Sequence, residues 1–169
     1  MQQEIINRVS NSKLVVFDLE ELHTPGERVL FDIKSLLFQE LILREKEYRE
    51  FIKDHDWSKY SNKLVAITCT ADAIVPTWAY MLLASALQPV AKLVIFGTLQ
   101  DLEITLFRRA LDKVDWQYYK DAKVVIKGCS KVEVPISAYV DATNELRSVA
   151  SSIMFGEPCS TVPVFKRKM

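Results

Sequence analysis

The chain has 169 residues, 49% hydrophobic and 26% charged, and its 22 basic and 22 acidic side chains balance to a formal net charge of +0. That length and mix describe one soluble domain, residues 1–169, with a substantial core. The balance, with no block of five like charges, argues against a nucleic-acid binder driven by electrostatics. No apolar run approaches the ~18 residues of a membrane span. The N-terminus, MQQEIINRVSNSKLVVF, lacks the cationic start, apolar core and small-residue cleavage site of a secretory signal. The expected location is therefore cytoplasmic, where thiols stay reduced.

Residues 1–11 read as a short helix or loose arm. Residues 14–17 (LVVF) and 28–31 (RVLF) are short apolar runs rich in β-branched residues. They read as two strands joined through the acidic DLEELHTPG, whose Pro-Gly is a turn signal. The pair is expected to form a hairpin or edge element, an antiparallel N-terminal addition. Residues 36–43 are strongly apolar and fit helix or strand. From Leu41 to Asp54, apolar residues recur every three or four positions with charges between, so the pattern is helical. This first part, residues 1–62, precedes a repeating βα core at 63–169.

In that core, residues 64–68 read as a strand and 76–87 (PTWAYMLLASAL) as a helix opened by proline and apolar nearly all round. Residues 93–96 (LVIF) are the next strand. Thr98, with Asp101 three residues on, marks a helix start, and that helix runs to about residue 113. A strand at 124–126, a helix at 135–149 and a short strand at 153–155 follow, with the basic VFKRKM as an exposed tail. Continuous apolar strands alternating with helices imply a parallel sheet covered on both faces. The expected fold is α/β, a three-layer sandwich with a mainly parallel doubly wound sheet.

One stretch occurs twice. KLVAITCTADAIVPTWAY begins at Lys63 and KVVIKGCSKVEVPISAY at Lys123. Each has a cysteine six residues after its leading lysine and a helix opening Pro-x-x-Ala-Tyr. The strands starting at Lys63, Lys92 and Lys123 then place Cys69, Thr98 and Cys129 at one offset. If the Lys63 strand lies between the other two, Cys69 and Cys129 flank the point where strand order reverses, the usual ligand crevice of such sheets. Cys159, in GEPC after the last strand, could bend over the same edge.

Three cysteines cannot pair completely, so a disulfide framework is the wrong reading. Thiolates select zinc, copper(I) or iron–sulfur clusters, and three of them leave a position open. Candidates to fill it are Asp72 and Glu157, each within three residues of a cysteine, and His23. The spacing contains no C-x-x-C, so the signal is the repeated context. Two other readings stand beside it: cysteines as plain core or turn residues, and one reactive thiol, Cys129 or Cys159. His23 and His55 have no nearby nucleophile, and there is no GxGxxG or Walker loop.

The blocks EKEYREFIKDHDWSKY, VAITCTADAIVPTWAYMLLAS, KGCSKVEVPISAYV and SIMFGEPCSTVPVFK resemble a bacterial family that carries only a domain-of-unknown-function label and is often encoded beside SUF iron–sulfur assembly genes. The resemblance covers residues 26–168. It implies an accessory role in cluster assembly or metal handling, with iron–sulfur assembly proteins as partners, and brings no catalytic residue. The expected function is a cytoplasmic accessory protein that binds zinc or an iron–sulfur cluster through Cys69, Cys129 and Cys159, with Asp72 or Glu157. A thiol-dependent enzyme or sulfur carrier is the alternative, and a metal-free protein-interaction scaffold the second. Whether the chain dimerises is left open by the apolar helix at 76–87.

Overall fold

A computed structural model describes residues 14–128, 131–157 and 159–168. Its elements, in chain order, are β1 (Leu14–Asp18), β2 (Arg28–Asp32), α1 (Glu45–Asp54), β3 (Leu64–Thr68), α2 (Thr77–Leu87), β4 (Leu93–Phe96), α3 (Leu99–Leu111), β5 (Lys123–Lys127), α4 (Ile136–Val149), β6 (Ser152–Glu157) and β7 (Ser160–Lys166). Single 3₁₀ turns occupy Leu19–Leu22, Ile33–Leu36, Trp57–Tyr60 and Trp116–Tyr119. In each, the preceding aspartate (Asp18, Asp32, Asp56, Asp115) accepts a backbone N–H of the turn and so fixes where it starts. Pro76 and Pro135 stand just before α2 and α4 in extended conformation.

The chain is α/β with mostly parallel strands, as expected, and the strands fall into two sheets. The first has the order β1-β5-β6-β7 and the second β2-β3-β4. Correspondingly, the chain divides into two compact units: an outer one of Met1–Thr24 with Leu106–Met169, and an inserted one of Pro25–Thr105. The N-terminal strands do not pair with each other. β1 lies parallel to β5 (Val15↔Val124, Phe17↔Ile126) and β2 parallel to β3 (Val29↔Val65, Phe31↔Ile67). The capped 3₁₀ turn after β1 carries the chain onward instead of back along the strand, which is why no hairpin forms. The antiparallel pair is β6–β7, at the other end of the chain. The first three residues of the segment read as an exposed tail, 164–166, thus belong to an edge strand, whose Pro163 is tolerated because an edge needs no donor on its open side.

In the inserted unit, Val29, Phe31, Val65, Ile67 and Val94 face a core completed by Phe51 and Ile52 of α1 and Leu83 and Leu87 of α2. Tyr48 of α1 is 1% exposed, and its hydroxyl donates to the Ala79 carbonyl at 2.7 Å. Residues 36–43 resolve into neither alternative: a 3₁₀ turn ends at Leu36, and Phe38 bridges Ile42 across a bend that Gln39 and Glu40 make at positive φ. In the outer unit, Phe17, Val124, Ile126 and Ile153 pack against Ala138, Ala142 and Leu146 of α4 and Phe107 and Leu111 at the end of α3.

The two units are copies of one design. At a single constant offset, that from Leu64 to Lys123, the 3₁₀ turns Trp57–Tyr60 and Trp116–Tyr119 coincide, as do the first residues of the second and third strands and of the helices between them. So do details no helix or strand demands. Asn62 and Asp121 share positive φ (59° and 56°). Their N–H groups donate to Val90 O and Val149 O at 2.9 and 3.0 Å. Gly97 and Gly156 both have φ in the left-handed half, +139° and +121°. Tyr48 and Phe107 fill the same core position, each 1% exposed. Both sheets run first, middle, last strand in the same order; only the outer unit adds a fourth, β7.

Candidate functional site: the carboxyl edges of the two sheets

The repeat corrects the sequence register by one residue. β3 begins at Leu64, the residue after Lys63, whereas β5 begins at Lys123 itself, because the preceding Ala122 is 2% exposed and serves as a core residue. Cys69 therefore stands where Gly128 stands, and Cys129 stands in sequence where Thr70 does. The two cysteines are not equivalent. β3 has β2 and β4 as neighbours, and β5 belongs to the other sheet, so no single sheet has Cys69 and Cys129 on either side of a strand reversal. Cys129 itself lies outside the described residues.

In the inserted unit, Asp32 at the end of β2 accepts from the backbone N–H of Lys34 (2.9 Å), the N–H of Thr70 (3.1 Å) and the Thr70 hydroxyl (2.5 Å). Burial pushes this carboxyl up, but the Thr70 and Lys34 hydrogen bonds outweigh it and hold Asp32 below the ordinary value. The aspartate thereby pins the loop that carries Cys69. That thiol is half-buried against the unit's apolar core, with Sγ 3.8 Å from the Ala71 carbonyl. The Tyr80 phenol is pushed up by burial first, and then by the neighbouring Cys69 and Asp32. Asp72 is exposed.

In the outer unit, Asp18 takes the place of Asp32 and pairs with Lys127 at 2.9 Å. Lys127 is pushed up by its hydrogen bond to Asp18 and by that carboxylate's charge, with Glu157 and Glu20 adding to it. Glu20 accepts from the N–H of Lys131 at 2.6 Å and of Val132 at 3.3 Å, and so anchors the loop beyond Gly128. A Cβ on Gly128 would sit 2.7 Å from the Tyr139 hydroxyl, so the phenol lies directly over this strand end. Cys159 is exposed at the tip of the β6–β7 hairpin, between Glu157 and Ser160, which face each other in the ladder. In the same unit, Ile126, Ile136, Tyr139, Thr143, Phe155 and Val164 line an apolar groove of about 380 Å³.

Of the residues singled out from sequence, Cys69 and Asp72 belong to the inserted unit, and Cys159, Glu157 and His23 to the outer one. Among the described residues, no three His, Cys, Asp or Glu side chains gather closely enough to hold a metal ion. Sequence reasoning missed the aspartates that end the first strands. Their signal was present as a second repeat, VFDLEEL at Val16 against LFDIKSL at Leu30. Among the described residues, no helix is long and apolar enough to cross a membrane.

Over residues 3–167 the chain matches the protein family described as "Protein of unknown function (DUF2480)". No curated protein and no solved structure matches it.

Proposed function

The chain belongs to the DUF2480 family, and from that premise we propose that it is an accessory protein that handles a soft metal ion or iron–sulfur cluster through thiols at the carboxyl edge of the outer unit. The ligands in this reading are Cys129 and Cys159, with Glu157 as an oxygen donor beside them. The observation that supports it is the adjacency of β5 and β6, which run parallel as hydrogen-bonded neighbours. Each ends two residues before one of these cysteines. Neighbouring strands lie about 4.8 Å apart, and two thiolates on one zinc ion are at most about 4.6 Å apart. An exposed thiol on a hairpin tip suits hand-over to a partner, such as an iron–sulfur assembly protein, better than permanent storage. Cys69 and Asp72, in the inserted unit, would form a separate, weaker donor pair.

The test is metal content and absorption spectrum after purification without oxygen. Stoichiometric metal that survives Cys69→Ser and is lost in Cys129→Ser and Cys159→Ser supports the reading. Metal-free wild type, or metal retained in the double Cys129→Ser, Cys159→Ser variant, overturns it. The apolar groove beside Tyr139 favours a second reading, a metal-free scaffold that binds a partner protein. Under it, replacing all three cysteines by serine changes stability alone.

A further inference from the structure

We propose that the open edge of β4 is a self-association surface, on which two copies of the chain pair antiparallel and join their inserted-unit sheets into one. The proposal does not depend on the thiols. The Gly97 N–H donates inward to Ile67 O at 2.9 Å. Main-chain groups along a strand alternate in direction, so those of Ile95 also turn toward β3, and those of Val94 and Phe96 point outward. In the outer unit the equivalent residues are Ile153 and Phe155, and both are occupied: Ile153 pairs with Phe165 and Phe155 with Val162 of β7. Among the described residues, no strand does the same for Val94 and Phe96. After Gly97 the chain enters α3, and Glu103 of that helix bonds Arg28 on β2 (Oε1–Nε 2.6 Å). The helix therefore crosses toward the far strand and does not run along the β4 edge.

Edge strands are normally blunted by shortness, charge, proline or a bulge; β4 is short, at 4 residues, but LVIF carries no charge, proline or bulge. Phe96 is 70% exposed although its ring meets Tyr80 edge-on at 5.2 Å. Its counterpart Phe155 meets Tyr139 in the same way at 5.7 Å and, with β7 alongside, is 46% exposed. The molecule thus shows what covers this edge in its own second copy of the design: an antiparallel, largely apolar strand. Another β4 is such a strand. With the two-fold axis through Ile95, Val94 lies opposite Phe96 of the second copy and the reverse, and each such pair exchanges both of its N–H···O bonds. Phe96 would then sit beside a valine, as Phe155 does. The formal net charge of +0 puts no repulsion between copies.

The experiment is sedimentation velocity of the full chain from about 1 to about 100 µM, a range that suits so short an interface, with hydrogen exchange at the Val94 and Phe96 amides. Phe96→Pro removes an outward N–H and no inner ladder bond, whereas Phe96→Leu keeps that N–H. The expected result is reversible dimerisation in wild type and Phe96→Leu, at least tenfold weaker in Phe96→Pro, with protection of the two amides rising with concentration. The exchange readout uses wild type alone, so it stands even if the proline variant does not fold. A wild type monomeric throughout, or a dimer whose Val94 and Phe96 amides exchange independently of concentration, overturns the proposal.

Discussion

Replacing Tyr48 by phenylalanine removes one oxygen from the core of the inserted unit. The hydroxyl donates to Ala79 O at 2.7 Å. That carbonyl lies inside α2 and keeps its own helical N–H, so no acceptor is orphaned. The loss is one neutral hydrogen bond, about 0.5–1.5 kcal/mol, without the cavity that makes large-to-small substitutions cost more. The outer unit already tolerates the result, since Phe107 fills the equivalent position at 1% exposure. Urea unfolding at pH 7 measures it, and a melting temperature lower by roughly 2–5 °C is the thermal counterpart. Burial pushes the Tyr48 phenol up to about 12, and Tyr80 adds to this. Its folded value therefore lies above the ordinary 10, and the stability from keeping it neutral is present below pH 10 and lost as pH rises toward 12. Above pH 10 the variant should lose stability less steeply than wild type. A loss above ~3 kcal/mol at pH 7 would refute the reasoning, as would parallel pH curves.

His55 sits among Phe31, Phe51, Trp57 and Tyr60, and its Nε2 is buried with no hydrogen-bond partner. Burial, and then Lys59, push it below the ordinary value, with Asp56 opposing. Wild type should lose stability as pH falls from about 6.5 through the lower folded value. His55→Val, which installs the residue of the equivalent Val114, should flatten melting temperature between pH 7.5 and 5.5. Gly156→Ala should cost about 1–3 kcal/mol or more in urea unfolding, because φ is +121° and the new Cβ would sit 2.6 Å from Ser160 O. Asp32→Ala unties the Thr70 loop at a cost of about 1–2 kcal/mol and should speed maleimide labelling of Cys69, leaving that of Cys159 unchanged.

The strands and helices of the second half were legible because LVAIT, LVIF and KVVIK each end at a polar or glycine-bearing turn before a helical pattern. Their pairing was not. Apolar strands carry no label for their neighbour, so three strands alike in sequence looked like one sheet, and the pairing of β1 with β5 is invisible to local reading. The cysteine register slipped because a lysine leads both copies, and only the burial of Ala122 shows that the second one is already inside its strand. β7 was hidden by Pro163 and by the basic end that follows it. The aspartates at the strand ends were visible as a repeated Phe-Asp, but the role of Asp32 as anchor of the Cys69 loop depends on hydrogen bonds to Thr70 across the sheet edge.

Interleaving makes the order of synthesis matter. The inserted unit's sheet is assembled from a contiguous stretch, whereas β1 emerges first and meets β5 only after that whole stretch has been made. An apolar LVVF thus stays unsatisfied during translation, and closing it onto β5 is the long-range, entropically slow event of folding. A chaperone that shields nascent hydrophobic segments would have its clearest task here, on β1 before β5 is made.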